Sequence, residues 1–330
     1  MNQNSKKVLI FCPKFFGYEN RVANAFRSNG YEVDLYNERP SDGFIAKVAI
    51  RRNWRFYKPI IKKYLNGIIE QNKNKKYDYI IVFRGETIGE RELLQLKAAF
   101  PGAKTIFYLW DSVENTIESK KKINIYDKVF TFDPNDAQKY NLVFLSLPYG
   151  EEYTSEVPTT KTEYDLAFIG TAHSIRPRIV KELKKQCEEM NLKMFIFFYS
   201  PHILVYLFNK LFNKDYKYIS LKEINFKSLT TAEVCDVYNK ATCILDIGHP
   251  NQNGTTTRPV EMLAMKKKII TTNTNVKDFD YFDQNDFLII DKQNPKLDKS
   301  FFESEYVPVK KDILYKYSPE NFVKTILEED

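Results

Sequence analysis

Short apolar runs alternate with amphipathic stretches along most of the chain. In the first half, runs rich in β-branched and aromatic residues predict six strands, and residues with helical periodicity separate them. This alternation predicts a doubly wound parallel sheet. The predicted strands are residues 6–12, 32–36, 79–83, 105–109, 128–132 and 142–146. The longer predicted helices are residues 20–29, residues 48–71 with a bend near Pro59, and residues 90–100.

The same alternation restarts in the second half. Thr230 and Glu233 form a capping-box pattern that predicts the start of a helix. The strongly apolar helical stretch at residues 202–212 is expected to pack mainly in the core, and the alternative is a second membrane contact. Strands are predicted at residues 164–169, 193–199, 242–246, 268–272 and 287–290, and helices at residues 176–190, 202–212, 230–239 and 319–328.

Two αβ halves without close repeat identity favour an α/β chain with two facing Rossmann-like domains and a central cleft. The sequence Pro148-Tyr149-Gly150 marks a hinge, and the polar segment after it reads as a linker. We therefore divide the chain into residues 1–150, residues 151–317 and a final helix at 318–330.

A polar loop and a short helix lie between the predicted strands 242–246 and 268–272. Pro259 favours a helix start there, because its missing N–H costs nothing at that position. The backbone amides of the loop would then point out of a helix N-terminus, which is a favourable site for a diphosphate. The four loop residues concerned are Gly254, Thr255, Thr256 and Thr257.

Arg258 and Glu261 lie three residues apart and so share one face of that helix. An arginine can neutralise a phosphate, and a carboxylate can accept hydrogen bonds from a ribose diol. The alternative is an ion pair on the protein surface.

A second candidate phosphate site follows strand 164–169. Gly170 would let a phosphate approach the backbone, and Arg176 and Arg178 could bind it. The alternative is a tight turn with exposed arginines. His173 and His249 lie at predicted strand edges and could contact phosphate or sugar, although a lone histidine is more often an ordinary loop residue.

The pattern Arg258-Pro259-x-Glu261-x-x-Ala264, followed by a lysine-rich turn and the strand IITTN, resembles the nucleotide-sugar site of GT-B glycosyltransferases. It looks most like the CgeB-like and the capsule or lipopolysaccharide glycosyltransferases. The resemblance implies the GT-B fold, a nucleotide-diphosphate sugar as donor, no metal or other cofactor, and a C-terminal helix that packs back on the N-terminal domain. Retaining members often carry Glu-x7-Glu; here Asn253 replaces the first glutamate, which favours inversion.

An inverting transferase needs a base that takes the proton of the acceptor hydroxyl. Asp111 is the first candidate, with Glu19 and Glu86 as alternates, because all three follow predicted strands of the first half. Each could instead cap a helix or solvate a loop.

Other kinds of site are disfavoured. The four cysteines, which lack metal-ligand spacing, are expected to be reduced, as in a cytoplasmic protein. Asp278-x-Asp280 resembles a metal-binding pair, but we expect no metal there. The sequence contains no Walker loop, no G-x-S-x-G and no G-x-G-x-x-G.

The formal net charge is +7, and it is concentrated in one block. Residues 47–76 hold ten Lys or Arg and one acid, which gives this block +9 and leaves −2 for the rest of the chain. Trp54, Tyr57 and Tyr64 lie among these charges, a composition typical of a helix on anionic lipid. The alternative is a solvated helix face. No signal peptide or membrane span is expected.

These patterns predict a cytoplasmic glycosyltransferase, peripheral on the inner face of the membrane through residues 47–76. It would move a sugar to a glycan or lipid-linked glycan in surface polysaccharide biosynthesis, and no nucleic-acid partner is expected. The alternatives are a retaining transferase, a nucleotide-sugar epimerase of the same fold, and a non-catalytic sugar- or lipid-binding scaffold.

Overall fold

The computed structural model describes residues 5–52, 55–116, 119–154, 162–248, 254 and 256–328. The chain forms two compact units. The first comprises Met1–Leu147 with Pro319–Asp330, and the second comprises Pro148–Ser318. Among the described residues, no helix is both long and apolar enough to cross a bilayer.

The first unit contains a six-stranded sheet in which every strand pair is parallel. The strand order is β2-β1-β3-β4-β5-β6, as expected for a doubly wound topology. The predicted strands are confirmed to within a few residues, although β6 has only two. The strands are β1 (Lys7–Phe11), β2 (Glu32–Tyr36), β3 (Tyr79–Phe83), β4 (Lys104–Leu109), β5 (Lys128–Thr131) and β6 (Val143–Phe144).

Helices cover both faces of this sheet. The helical stretch predicted at residues 48–71, with a bend near Pro59, is divided between two helices, and Pro59 lies in the first turn of the second, where a proline is tolerated. The helices are α1 (Tyr18–Ser28), α2 (Phe44–Arg51), α3 (Lys58–Asn72), α4 (Glu90–Ala99), α5 (Ser119–Lys122) and α6 (Pro134–Tyr140), followed at the end of the chain by α13 (Pro319–Leu327).

The core of the first unit has two layers, since successive strand residues point to opposite faces. Val8 and Ile10 pack in the same cluster as Phe322 and Ile326 of α13. Leu9 and Phe11 pack in the other layer, with side chains of α3 and α4. The last helix of the chain therefore completes the core of the first unit.

The second unit contains another six-stranded sheet with parallel pairing throughout, in the order β12-β11-β10-β7-β8-β9. Thr230 and Glu233 form the predicted capping box. The strands are β7 (Tyr164–Thr171), β8 (Met194–Tyr199), β9 (Ile224–Asn225), β10 (Ala241–Asp246), β11 (Lys268–Thr271) and β12 (Phe287–Ile289). The helices are α7 (Arg176–Glu189), α8 (Ile203–Phe212), α9 (Thr231–Asn239), α10 (Arg258–Ala264), α11 (Lys299–Glu303) and α12 (Lys311–Lys316).

One expectation about the second unit is wrong. The apolar side chains of α8 do not pack mainly in the core: Leu211 is 79% exposed and Phe212 is 73% exposed. Tyr206 is the buried residue of this helix. The apolar composition of α8 resembles that of a core helix, but only one side of it contacts the rest of the unit.

Ile326→Ala tests the contribution of α13 to the first unit. Ile326 is fully buried, so the truncation should lower the free energy of unfolding by roughly 2–4 kcal/mol through lost burial and a residual cavity. Urea unfolding followed by circular dichroism measures this change. The matched control is Leu94→Ala in α4. Leu94 is 60% exposed, so this variant should lose little free energy of unfolding. Equal losses in the two variants would contradict the packing of α13.

Candidate functional site

The polar edge of the second unit lies where its parallel strands end. Asp246 is the last residue of β10 and is 3% exposed. Its Oδ1 accepts a hydrogen bond from Thr256 Oγ1 at 3.3 Å, and its Oδ2 accepts one from Thr271 Oγ1 at 3.4 Å. A buried carboxylate thus joins the ends of β10 and β11 to the loop before α10.

Arg176 connects the ends of β7 and β10. Its Nε and Nη2 donate to the carbonyl oxygen of Ile247 at 3.1 and 2.9 Å, and its Nη1 donates to that of Thr171 at 3.4 Å. Burial, followed by the positive charge of Arg258, lowers the pKa of Arg176 to about 10. The two guanidinium groups therefore repel each other at this edge, and a bound anion would relieve that repulsion.

Arg258 opens α10 on the other side of the cluster. Its Nη1 donates to the carbonyl oxygen of Leu245 at 3.3 Å, and its guanidinium lies 5.8 Å from the ring centroid of Tyr238. Burial lowers the pKa of Arg258, but the electrostatic effects of Tyr238 and of the Asp246 and Glu261 carboxylates outweigh burial and leave the pKa raised. Arg258 is therefore held as a cation.

Glu261 lies in the first turn of α10 and is 5% exposed. The alternative of a surface ion pair between Arg258 and Glu261 is therefore wrong. Glu261 lies one turn along α10 from the half-buried Arg258, so the two side chains are together candidates for ligand binding.

Gly170 fits its position because a larger residue would displace its neighbours. A Cβ at residue 170 would lie 2.8 Å from Phe168 Cζ and 3.4 Å from Arg176 Nη1. Phe168 is fully buried in the core of the second unit. The small residue therefore lets the Arg176 side chain reach the strand ends.

The other predicted residues of this edge have different roles. Arg178 donates to the carbonyl oxygens of Lys292 and Gln293 and pairs with Asp215 at 3.4 Å. It connects α7 to neighbouring loops, and none of these contacts joins the cluster of Arg176 and Arg258. Since both Arg176 and Arg178 are bonded to the protein, the alternative of a turn with exposed arginines is wrong.

The loop before α10 is described only in part, since His249, Asn253 and Thr255 lie outside the described residues. The carbonyl oxygen of Gly254 accepts from Asn273 Nδ2 at 3.4 Å, and that of Thr257 accepts from the amide of Glu261 at 2.9 Å.

His173 and Asp280, the second member of the predicted Asp-x-Asp pair, contact other side chains of the second unit. His173 Nδ1 lies 2.8 Å from Ser174 Oγ. Asp280 accepts from Tyr317 Oη at 2.6 Å and pairs with Lys316 at 2.5 Å. Among the described residues, no cluster of three or more His, Cys, Asp or Glu could hold a metal ion.

Two of the three candidate bases meet at the strand ends of the first unit. The Arg84 guanidinium lies 3.0 Å from Glu86 Oε1 and 3.5 Å from Asp111 Oδ2. Arg39 Nε donates to Glu86 Oε2 at 2.6 Å. Arg84 has a φ of 69°, a rare conformation for a residue with a side chain that is typical of functional sites.

The candidate bases differ in how exposed their side chains are and in what holds them. The Glu86 side chain is 4% exposed and held by two arginines, whereas the Asp111 side chain is 19% exposed. Asp111 Oδ1 also accepts from the amide of Ser112 at 3.1 Å. Glu19 Oε2 accepts from the amide of Phe15 at 3.1 Å and so closes its own loop.

The sequence reasoning missed Glu38, which lies two residues after the end of β2 and is 1% exposed. Its Oε1 accepts from the amide of Thr87 at 2.7 Å, while its Oε2 has no hydrogen-bond partner among the described residues. Burial, and then the charge of Glu86, raises the pKa of Glu38 to about 7. Its place after a strand was a usable signal, because it shares the carboxyl edge with Glu86 and Asp111.

The stability of the first unit should depend on the protonation of Glu38. Its pKa in the fold is above its ordinary value of 4.5, so the folded state binds the proton more tightly than the unfolded chain. Stability should therefore fall as pH rises from about 4.5 to about 7, by roughly 2–3 kcal/mol. Thr87, Lys122 and Arg39 oppose the shift, and Glu86 enhances it.

Glu38→Gln cannot ionise, so its free energy of unfolding relative to the unmodified protein should rise between pH 5 and pH 8. Urea unfolding at both pH values measures this difference, with the exposed Glu90→Gln as control. Parallel pH profiles for Glu38→Gln and the unmodified protein would rule out the raised pKa.

Comparison with known proteins places this geometry in a familiar fold. No protein-family model matches the chain, and no curated protein matches it. Among solved structures, Anabaena HepE in complex with UDP-glucose aligns with a TM-score of 0.64 at 10% identity, over 98% of each chain.

Sucrose-phosphate synthase from Thermosynechococcus elongatus aligns with a TM-score of 0.62 at 9% identity, over 98% of each chain. The UDP-GlcNAc 2-epimerase from Methanocaldococcus jannaschii aligns with a TM-score of 0.53 at 13% identity, over 98% of this chain and 99% of its own. The finer resemblance to CgeB-like and capsule or lipopolysaccharide enzymes stays a prediction. The chain has the α/β fold of the GT-B glycosyltransferases.

Proposed function

We propose that the protein is a glycosyltransferase that moves a sugar from a nucleotide-diphosphate donor to a glycan or lipid-linked glycan, in the biosynthesis of a surface polysaccharide. One observation carries the proposal: Arg176 and Arg258 lie around Asp246 at the strand ends of the second unit. The fold is shared with HepE, whose structure contains UDP-glucose.

The arginine cluster suits a donor diphosphate. Burial, and then the charge of Arg258, lowers the pKa of Arg176. A phosphate between the two cations would be attracted by both and would reduce their repulsion. Their backbone bonds hold the guanidinium groups in place before the ligand arrives, which lowers the entropy cost of binding. The loop at residues 254–257, with His173 and His249, would complete the donor site.

Glu261 is proposed to bind the ribose hydroxyls of the donor. It is a buried carboxylate on the same helix as Arg258, and a carboxylate accepts two hydrogen bonds from a diol well. In this proposal the arginines stabilise the leaving diphosphate, and no metal ion is required. Activity that survives treatment with a chelator would agree with this.

Asp111 is proposed as the base that deprotonates the acceptor, with inversion at the transferred sugar. It is more exposed than Glu86 and is oriented by Arg84 and Ser112. Glu86 is bonded to Arg39 and Arg84, so its role would be to position Arg84. Glu19 is the remaining alternate.

The epimerase alternative is supported by one observation, the shared fold of the Methanocaldococcus jannaschii enzyme. An epimerase would change the nucleotide-sugar itself without an acceptor. A transferase would release free nucleotide diphosphate, and slow donor hydrolysis would distinguish it from a non-catalytic scaffold. Product analysis by mass spectrometry and NMR, with a set of nucleotide-sugars, separates these outcomes.

The basic block at residues 47–76 is proposed to bring the first unit to an anionic membrane, where a lipid-linked acceptor is held. Lys58, Lys62 and Lys63 are exposed, and Phe56 is 66% exposed. Trp54 lies outside the described residues. Each basic side chain close to an anionic surface contributes about 1 kcal/mol, less at high salt.

Glu261→Ala should weaken UDP or ADP binding by roughly 1.5–3 kcal/mol, the value of a lost hydrogen bond to a charged group. This corresponds to an increase of about 10- to 150-fold in Kd, measured by calorimetry. The control is Glu189→Ala, since the Glu189 side chain is 61% exposed in α7. If Glu261→Ala stays folded and binds nucleotide normally, Glu261 does not contact the donor.

Asp111→Asn should lower turnover about 10²- to 10⁴-fold while donor affinity is kept, because the amide cannot accept the acceptor proton. Turnover is measured as nucleotide diphosphate release, with Glu90→Gln as control. Normal turnover in Asp111→Asn would transfer the role to Glu19 or Glu86. Normal turnover in Asp111→Asn, Glu19→Gln and Glu86→Gln alike would indicate a retaining mechanism.

A further inference from the structure

Six apolar side chains form one stripe along α8. They come in three pairs spaced four residues apart, so they lie on a single face of the helix. Their exposed fractions range from 42% to 79%. The residues are Ile203, Leu204, Leu207, Phe208, Leu211 and Phe212. Single exposed apolar residues are ordinary on a protein surface, whereas a continuous stripe marks an interaction site.

The opposite face of α8 fixes the stripe in its outward orientation. Tyr206 is 4% exposed, and its ring centroid is 6.0 Å from that of Tyr216. Lys210 Nζ donates to the carbonyl oxygens of Tyr216 and Ile219, both at 2.7 Å. The helix is therefore anchored to the second unit with its apolar face outward.

The segment around the stripe is basic. Residues 203–227 contain five lysines and two acidic residues. Asp215 is paired with Arg178 at 3.4 Å, and Glu223 accepts from the amide and hydroxyl of Ser220. All five lysines are exposed, namely Lys210, Lys214, Lys217, Lys222 and Lys227.

We propose that α8 and the segment at residues 213–227 form a docking surface for an anionic lipid bilayer. A helix of ten residues is about 15 Å long, too short to span a bilayer but sufficient to lie in its interface. There the apolar stripe contacts acyl chains, and the four lysines other than Lys210 contact headgroup phosphates.

The charge of the segment favours a bilayer over a second copy of the chain. A two-fold contact places the same surface against itself, so the lysines of one copy would face those of the other. Repulsion between these like charges opposes association of two copies, whereas anionic headgroups attract the lysines. This inference is independent of the proposed enzymatic function, because it rests only on the surface of the second unit.

The first test uses the full-length protein and sedimentation with vesicles. Phosphatidylcholine vesicles that contain about one quarter phosphatidylglycerol should bind the protein, whereas pure phosphatidylcholine should bind it less, and high salt should weaken binding. The combined variant Leu204→Gln, Phe208→Gln, Leu211→Gln should reduce partitioning at least about tenfold, because three apolar side chains lose burial. Unchanged partitioning would overturn the proposal.

Matched controls separate α8 from other surfaces. Leu94 and Val307 are 60% and 43% exposed, so Leu94→Gln with Val307→Gln removes exposed apolar area elsewhere and should bind normally. Lys58→Glu with Lys62→Glu and Lys63→Glu alters the basic block of the first unit. If that variant alone loses binding while the α8 variant binds normally, α8 is not the docking surface.

A fluorescent reporter tests insertion directly. In Phe212→Trp, the fluorescence emission of the added tryptophan should shift to shorter wavelength when anionic vesicles are present. Brominated acyl chains should quench this emission, relative to the unmodified protein. If this variant sediments with vesicles and its emission does not shift, α8 does not insert.

A second copy of the chain is the other possible occupant. The protein would then dimerise with rising concentration, the α8 variant would abolish dimerisation, and no vesicle binding would be seen. That result would overturn the proposal.

Discussion

Parallel pairing in both sheets is the constraint on which the rest of the structure depends. Because every strand pair is parallel, the carboxyl ends of the strands meet at one edge of each sheet. The last carbonyl groups of such strands need hydrogen-bond donors once the ladder ends. In the second unit Arg176 and Arg258 donate to the carbonyl oxygens of Thr171, Leu245 and Ile247. The same contacts that complete the strand ends therefore position the cations proposed to bind the donor.

The strand ends of the first unit have a different character. Arg39 and Arg84 hold Glu86, and Glu38 is buried nearby with a raised pKa. Buried ion pairs contribute little net stability, because desolvation offsets much of their attraction. The network after β2, β3 and β4 is therefore weak evidence for stability, and Asp111 is its more exposed member.

The surface of the second unit adds a feature unrelated to either strand edge. An exposed apolar stripe is unfavourable in water, and the anchoring bonds of Lys210 hold α8 in that exposed orientation. A protein that works on a lipid-linked acceptor would benefit from such a surface, because docking raises the local concentration of the acceptor. The basic block of the first unit and α8 of the second would then be separate membrane contacts.

The sequence by itself determined the strands and helices, because their apolar periodicity is local and their caps, such as Thr230 with Glu233, are encoded within a few residues. It also predicted Arg176, Arg258 and Glu261, since a ligand site at the ends of parallel strands leaves charged residues just after apolar runs. It did not determine which charged residues meet. Asp246 and Glu38 matter through partners distant in sequence, and Arg178 is turned towards Asp215 by the packing of α7. Nor could composition show whether α8 faces the core or the solvent. Only the tertiary structure decided that, because burial depends on what packs against a helix and not on its residues alone.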